Sequence, residues 1–273
     1  MDPMTLLPIA VLLMAIGAFA GVLAGLLGVG GGIVLVPAFL YAFRATGFAG
    51  PDVMQVCVAT SLATVVVTSL RSVSSHNKKG AVDWDILRAW APALAVGAAL
   101  GVLVAANLRS EALQLIFGVL AMVVGLYMAL GREHWRLGAS LPMGWLGRAI
   151  GFVMGLLSVL MGIGGGSFGV PTMALYGVPI HRAVATAAGF GVAIAAPSVI
   201  GFLFVSVDAA TRPPATIGAI NLIGFAIIVP MTILTAPWGV KLAHSLPSGR
   251  LKRVFGFFLL LVAANMAWEV LAP

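Results

Sequence analysis

The sequence predicts an all-α integral membrane protein, a helical bundle of two inverted-topology repeats, each of about five hydrophobic elements whose first helix pair is broken or re-entrant at a glycine cluster. Three observations predict it. The 273 residues are 61% hydrophobic and only 8% charged, with a mean hydropathy of +1.12, which excludes an ordinary water-soluble surface. Uncharged runs cover 3–43, 53–70, 89–108, 112–131, 149–180, 183–207 and 213–240, and about 20 apolar helical residues cross a bilayer core. A ten-residue motif occurs twice, "GVGGGIVLVP" at 28–37 and "GIGGGSFGVP" at 162–171, with glycines and proline in register. The alternating strands of an outer-membrane barrel are absent, which leaves helices to satisfy the backbone in lipid.

The first half divides into elements near 5–27, 33–44, 53–71, 86–107 and 111–130. Ala18-Phe19-Ala20 resembles a signal-peptide cleavage site, but only Asp2 precedes the apolar run, with no basic residue, and the segment recurs later in the chain. It is therefore read as mature structure. The second element, Ile33 to Arg44, is about 12 residues or roughly 18 Å of helix, too short for a core of about 30 Å. The glycine turn before it is thus expected inside the membrane. The last two elements belong to the segment 80–118, which runs against 218–256: Pro92 meets Pro230, Gly101 meets Gly239, Ser110 meets Ser248, and Phe117-Gly118 meet Phe255-Gly256. This places a first transmembrane repeat at 1–131, a cytoplasmic linker at 132–139 and a second repeat at 140–273.

Charge sets the topology. With loops 71–88, 132–148, 180–182 and 241–253 inside, twelve Lys and Arg residues are cytoplasmic and only Arg44, Arg109 and Arg212 lie outside, the bias expected of a multi-pass protein of the cell inner (cytoplasmic) membrane. Five elements per half invert the second copy, and both termini face outward. A parallel arrangement splits the same charges eight to seven. The net charge of +7 thus reports span ends facing lipid headgroups rather than a nucleic-acid partner. In the linker, Trp135 and the basic residues fit either membrane anchoring or a homodimer contact.

The glycine clusters are the candidate site. Three adjacent glycines tolerate positive φ and let a ligand approach the backbone, and a helix that starts after such a turn offers free N–H groups to an anion. Gly30, Gly31 and Gly32 in the first copy, and Gly164, Gly165 and Gly166 in the second, are therefore candidate substrate-binding residues. Ser167 adds a hydroxyl that its counterpart Ile33 lacks. In "ATSLATVVVTSLRSVSSHN" the residues Ser61, Thr64, Thr68, Arg71 and Ser75 share one helix face, with Thr68 and Arg71 read as pathway residues toward the cytoplasm. Thr60 aligns with Thr186, which makes the two symmetry-related candidates, and Arg182 stands at the cytoplasmic start of the second copy's span. Hydroxyls that simply bond back to their own helix are the competing reading for the threonines.

No Asp or Glu lies mid-span, which disfavours cation transport and a buried carboxylate proton relay but leaves a histidine open for that role. The single cysteine, Cys57, permits no internal disulfide and reads as a small packed side chain. No CxxC, HExxH or His/Asp/Glu cluster calls for a metal or cofactor, and no nucleophile–base pair marks a catalytic site. The residues alone imply a small-anion permease, with an anion channel or a non-transporting membrane assembly partner as alternatives.

The two glycine motifs, the span "ATSLATVVVTSL" and the turn "HNKKGAVDW" resemble the sulfite exporter TauE/SafE family over essentially the whole chain. The family's Gly-Thr-Ser-like tripeptide reads Ala59-Thr60-Ser61 here and Ala185-Thr186-Ala187 in the second copy, so the second serine is missing. The resemblance implies a secondary transporter of a small sulfur-containing anion such as sulfite, thiosulfate or an organosulfonate like sulfoacetate.

Overall fold

The structure, a computed structural model, describes residues 3–28, 30–130, 136–138, 140–245 and 247–271; Arg132 and Trp135 of the linker lie outside them. Ten helices are present among the described residues: α1 (Pro3–Leu27), α2 (Gly32–Ala45), α3 (Val53–Asn77), α4 (Trp84–Asn107), α5 (Ser110–Leu130), α6 (Gly144–Leu160), α7 (Gly166–Leu175), α8 (Ile180–Leu203), α9 (Leu222–Ala243) and α10 (Ser248–Leu271). Five fall before the linker and five after it. The protein is therefore an all-α membrane bundle, and six helices, α1, α3, α4, α5, α8 and α9, are long and apolar enough to span.

The short members sit where the sequence expects them. With 14 residues in α2 and 10 in α7, they extend roughly 21 and 15 Å, so neither crosses the core. Each follows a glycine turn, and α1 and α6 stop at Gly28 (φ 67°) and Gly162 (φ 62°), equivalent positions in the left-handed region. No Cβ is tolerated there for a second reason as well: one on Gly28 would overlap the Val184 carbonyl oxygen of α8, and one on Gly162 would lie 3.0 Å from Val58 Cα of α3. Val58 and Val184 are themselves equivalent under the Thr60–Thr186 alignment.

The main helix contacts are reciprocal. The first helix of one half packs on the fourth of the other, α1 on α9 and α6 on α4; α3 pairs with α8 and α5 with α10. At the centre, 83% of the α3 span and 67% of the α8 span is buried, against 33–50% for the other four. The outer helices turn Val96, Leu103, Val119, Val123 and Leu234 outward, an apolar perimeter suited to lipid.

Without a hydrophobic drive between helices in lipid, association depends on close backbone approach through small residues. The outer pairs achieve it with glycine. A Cβ on Gly97 of α4 would overlap the Phe152 carbonyl oxygen, one on Gly155 of α6 that of Leu94, and in the reciprocal pair Gly25 and Gly239 stand against the Ala236 and Val22 carbonyl oxygens. Gly101 and Gly125 likewise face neighbouring helices, as packing glycines do. The fourth helices start on side-chain caps: Asp83 accepts from Ile86 N at 3.2 Å and Asn221 from Gly224 N at 2.8 Å. A small antiparallel hairpin, β1 (Thr216–Ile217) and β2 (Ile220–Asn221), leads into the second cap; no alternating pattern in the sequence announces it.

Backbone approach at Gly97 makes a specific demand. Gly97→Ala is expected to destabilise by about 1–3 kcal/mol through overpacking, whereas Gly151→Ala, whose Cβ meets nothing closer than Ala93 Cβ at 3.4 Å, should be neutral or stabilising by up to about 1 kcal/mol. Thermal unfolding of both variants in the same detergent checks the contrast.

Candidate functional site

The two glycine turns meet. A Cβ on Gly32, at the start of α2, would overlap the Gly162 carbonyl oxygen and sit 2.9 Å from Ile163 Cα and 3.0 Å from Ser61 Oγ. Ser61 ties them together: its hydroxyl donates to Gly162 O at 2.7 Å, with Gly32 O a second, longer contact at 3.5 Å. Gly31 precedes α2 with φ 80°, Gly165 precedes α7 with φ −67°, and neither helix has a side-chain cap. Free N–H groups at helix starts are anion donors in waiting. Around this crossing the hydroxyls of Ser69, Ser158 and Ser167 are buried with no hydrogen-bond partner among the described residues. Ser167 lies in the first turn of α7 and is 1% exposed. Ser69 Oγ sits between the turns, 3.2 Å from where Gly30 would carry a Cβ and closer still to that of Gly191, which in turn lies beside Gly164.

The structure thus brings Gly30, Gly32, Ser61 and Gly164 together across the two turns, while Gly31 stands against Ala20, Gly165 against Phe190, and Gly166 and Ser167 follow as the first residues of α7. It gives the threonines other work. Thr60 Oγ1 accepts from Asn221 N and Thr186 Oγ1 from Asp83 N, both at 2.9 Å, so each hydroxyl fastens the capped start of a fourth helix to a central helix. Thr64 and Thr68 donate back to Ser61 O (2.6 Å) and Thr64 O (2.8 Å), and Ser75 to Arg71 O (2.8 Å). Arg71 is exposed at the basic end. Arg182 Nη1 approaches Asp83 Oδ2 at 3.6 Å, with its side chain 57% exposed, a weak surface pair that ties α8 to the α4 cap.

The face of α3 that meets the turns is displaced by about 80° of helix rotation from the Ser61–Thr64–Thr68–Arg71–Ser75 stripe. It consists of Ser61, Val65, Ser69, Ser72 and His76, all buried, at spacings of four, four, three and four. Val65 and Ser69 contact the Gly30 position, Ser72 Oγ lies 3.5 Å from Ala24 O, and His76 Nε2 is 3.0 Å from Gly25 O. Helical spacing makes both faces equally legible; only the position of α1 selects the second.

At the basic end His76 abuts His244, with ring centroids 5.7 Å apart, and His244 stacks on His181 at 5.6 Å. Desolvation, then the Lys79 and His181 charges, hold His244 below the usual histidine range. These rings do not form a metal centre: no group of three His, Cys, Asp or Glu suited to a metal exists among the described residues. At the other end Arg44, which donates to Gln114 Oε1 at 3.1 Å, stands between a cavity of about 300 Å³ bordered by Tyr41 and Asn265 and one of about 490 Å³ bordered by Asn107, Arg109 and Gln114.

Two short helices that start uncapped after glycine turns in contact with each other, inside a spanning bundle with polar ends on both sides, are the architecture of a membrane transporter. The sequence profile of the family described as "Sulfite exporter TauE/SafE" matches residues 13–266, and the chain belongs to that family. It is 30% identical over 256 residues to a probable membrane transporter protein of Haemophilus influenzae, covering 93% of this chain and 97% of that one. It is also 31% identical over 195 residues to the probable membrane transporter protein YunE of Bacillus subtilis (64% and 71%) and 30% identical over 179 residues to one of Methanocaldococcus jannaschii (65% and 66%). No solved structure matches the chain.

Ser61→Ala removes the tie between the turns and is expected to cost about 1–3 kcal/mol. Thr60→Val leaves the buried Asn221 N–H unpaired, with a loss of similar size. Thr68→Val breaks only a bond within its own helix and should stay within about 0.5 kcal/mol of wild type. Unfolding midpoints in detergent distinguish the three.

Proposed function

We propose that the protein is a secondary transporter of a small sulfur-containing anion, such as sulfite, thiosulfate or an organosulfonate, across the cytoplasmic membrane. The single observation that carries this reading is the crossing itself: the two glycine turns touch, each leads into an uncapped helix start, and the start of α7 adds the buried, unpartnered Ser167 hydroxyl, with no carboxylate among these residues. Backbone N–H groups at the starts of α2 and α7 and the Ser167 hydroxyl hold the anion, and Ser61 keeps the turns in register. Oriented amides suit an oxyanion because they supply partial positive charge without a counter-ion that must also be desolvated. The substrate class is supported by the family's description; the geometry supports a small oxyanion.

In this proposal residues 1–131 and 140–273 are inverted repeats. The reciprocal helix pairs support it, as does the match of the Thr60–Asn221 and Thr186–Asp83 bonds. The halves rock about the crossing to alternate access, with the Lys- and Arg-rich end, including Lys78, Lys79, Arg182 and Lys241, facing the cytoplasm and both termini outside.

A ligand that binds only the folded state raises its melting temperature by mass action. Purified protein in detergent is expected to be stabilised by at least one of sulfite, thiosulfate and sulfoacetate, and not by chloride. Ser167→Ala should weaken that apparent affinity about tenfold or more, the loss of one hydrogen bond to a charged group, while leaving the unliganded midpoint near wild type. Stabilisation unaffected by Ser167→Ala would remove the site from the glycine crossing, and no stabilisation by any sulfur anion counts against the substrate class.

A further inference from the structure

The transporter reading leaves the coupling ion unassigned, and no carboxylate among the described residues is placed to carry one. His76 is. Its Nε2 faces Gly25 O at 3.0 Å; a carbonyl only accepts, so Nε2 carries the hydrogen and Nδ1 the lone pair of the neutral ring. That Nδ1 is buried with no hydrogen-bond partner among the described residues, in a residue only 1% exposed. A buried imidazole acceptor held in a fixed tautomer and left unpaired is costly as a structural element. It is well suited to a proton that comes and goes.

A route to it exists. His244, at the end of α9, is exposed and lies 5.7 Å from His76 between ring centroids, and exposed His181, at the start of α8, stacks on His244 at 5.6 Å. Such separations are bridged by one water or a small ring rotation. The charged groups acting on His76 are His244 from α9, His181 from α8 and Lys79 beyond the end of α3, while α1 contributes only the Gly25 carbonyl; Arg182 is engaged with Asp83. In the other direction Ser72 and Ser69 continue the same face of α3 to the glycine crossing.

We propose, resting on the transporter reading, that His76 is the proton-coupling residue, loaded through His181 and His244, and that proton and anion are carried together. In the loading step His244, first protonated from solvent directly or through His181, gives up a ring N–H proton and returns to the neutral form as His76 Nδ1 accepts that proton. The imidazolium keeps its Nε2–H bond to Gly25 O, at the C-terminal turn of α1 where the helix dipole favours a cation. Its new charge lies one polar face away from the crossing, where it favours the anion. The loaded state carries both, and the empty transporter returns with His76 neutral.

The test uses the full-length protein in proteoliposomes with radiolabelled sulfite, thiosulfate and sulfoacetate, at an outside pH of about 6 against about 7.5 inside, which brackets the ordinary histidine range. In wild type the gradient should drive accumulation of the exchanged anion severalfold over vesicles without it. His76→Gln keeps an amide donor for Gly25 O but accepts no proton. It is expected to exchange labelled for unlabelled anion at near wild-type rate while losing gradient-driven accumulation. His181→Asn and His244→Asn, at exposed positions, should slow accumulation severalfold with exchange intact. Wild-type exchange without gradient-driven accumulation, or accumulation by His76→Gln equal to wild type, overturns the proposal and leaves transport standing. If His76→Gln loses exchange too, slowed accumulation in the two exposed variants supports the relay and unchanged accumulation overturns it. No exchange of any anion by wild type overturns the transporter reading, and this inference with it.

Discussion

The rest of the structure depends on the contact between Gly32 and the Gly162–Ile163 backbone. A helix broken inside hydrocarbon exposes N–H and C=O groups that lipid cannot satisfy, so the break survives only against other protein. Here each break is covered by the other and by the two central helices. Turn one lies on Val184 of α8, turn two on Val58 of α3, and Ser61 donates across the gap to Gly162 O. This arrangement explains why α3 and α8 are the most buried spans, and why α2 and α7 need not cross. They are anchored at the crossing rather than at the two membrane surfaces.

The same constraint reaches the periphery. Central helices that carry both turns must be held at fixed height, and two equivalent bonds do this, Thr60 Oγ1 accepting from Asn221 N and Thr186 Oγ1 from Asp83 N. Each bond pins the start of a fourth helix, which then packs through glycine on the first helix of the other half. A shift of α1 against α9 is resisted by backbone contact at Gly25 and Gly239 and transmitted to the turn that α1 enters. The helices are therefore coupled as pairs, a suitable basis for motion of rigid groups rather than of single helices.

Much of this was legible because the physics is local. Five elements per half, the short second element and the turn near Gly28 follow from hydropathy, length and adjacent glycines, and the boundaries of α2 and α4 fall within two residues of the expected ones. The crossing of the turns was legible through the repeat. Less accessible was which hydroxyl faces what. Ser61, Thr64 and Thr68 satisfy one helical stripe, yet Thr64 and Thr68 bond back to α3 while Ser69, Ser72 and His76 meet α1 and the turns. Spacing defines faces, but only tertiary packing assigns them. Thr60 and Thr186 were found by alignment of the repeat and turn out to serve N-caps, which the sequence signals separately as Asp83 and Asn221 at equivalent positions. The hairpin that ends at Asn221 has no counterpart among the described residues of the first half, and the three-histidine cluster joins residues 168 positions apart (76 to 244), so neither is visible in a local window.

Asymmetry laid over this reciprocal frame has a functional consequence. Under the Thr60–Thr186 alignment, Ser61, Val65, Ser69, Ser72 and His76 of α3 correspond to Ala187, Gly191, Ala195, Ser198 and Phe202 of α8. Ser198 donates back to Ile194 O at 2.7 Å, and Phe202 is fully buried. The α3 face that meets the crossing therefore carries hydroxyls and an imidazole, and the equivalent α8 face small residues, one back-bonded serine and an aromatic ring. In the proposed coupling, a proton is held only on the α3 face. A symmetric lining would let protons pass through both mouths whether or not an anion is bound. In the proposed cycle, confining the titratable group to one face would make its protonation depend on which side is open, the condition that distinguishes coupled transport from a leak.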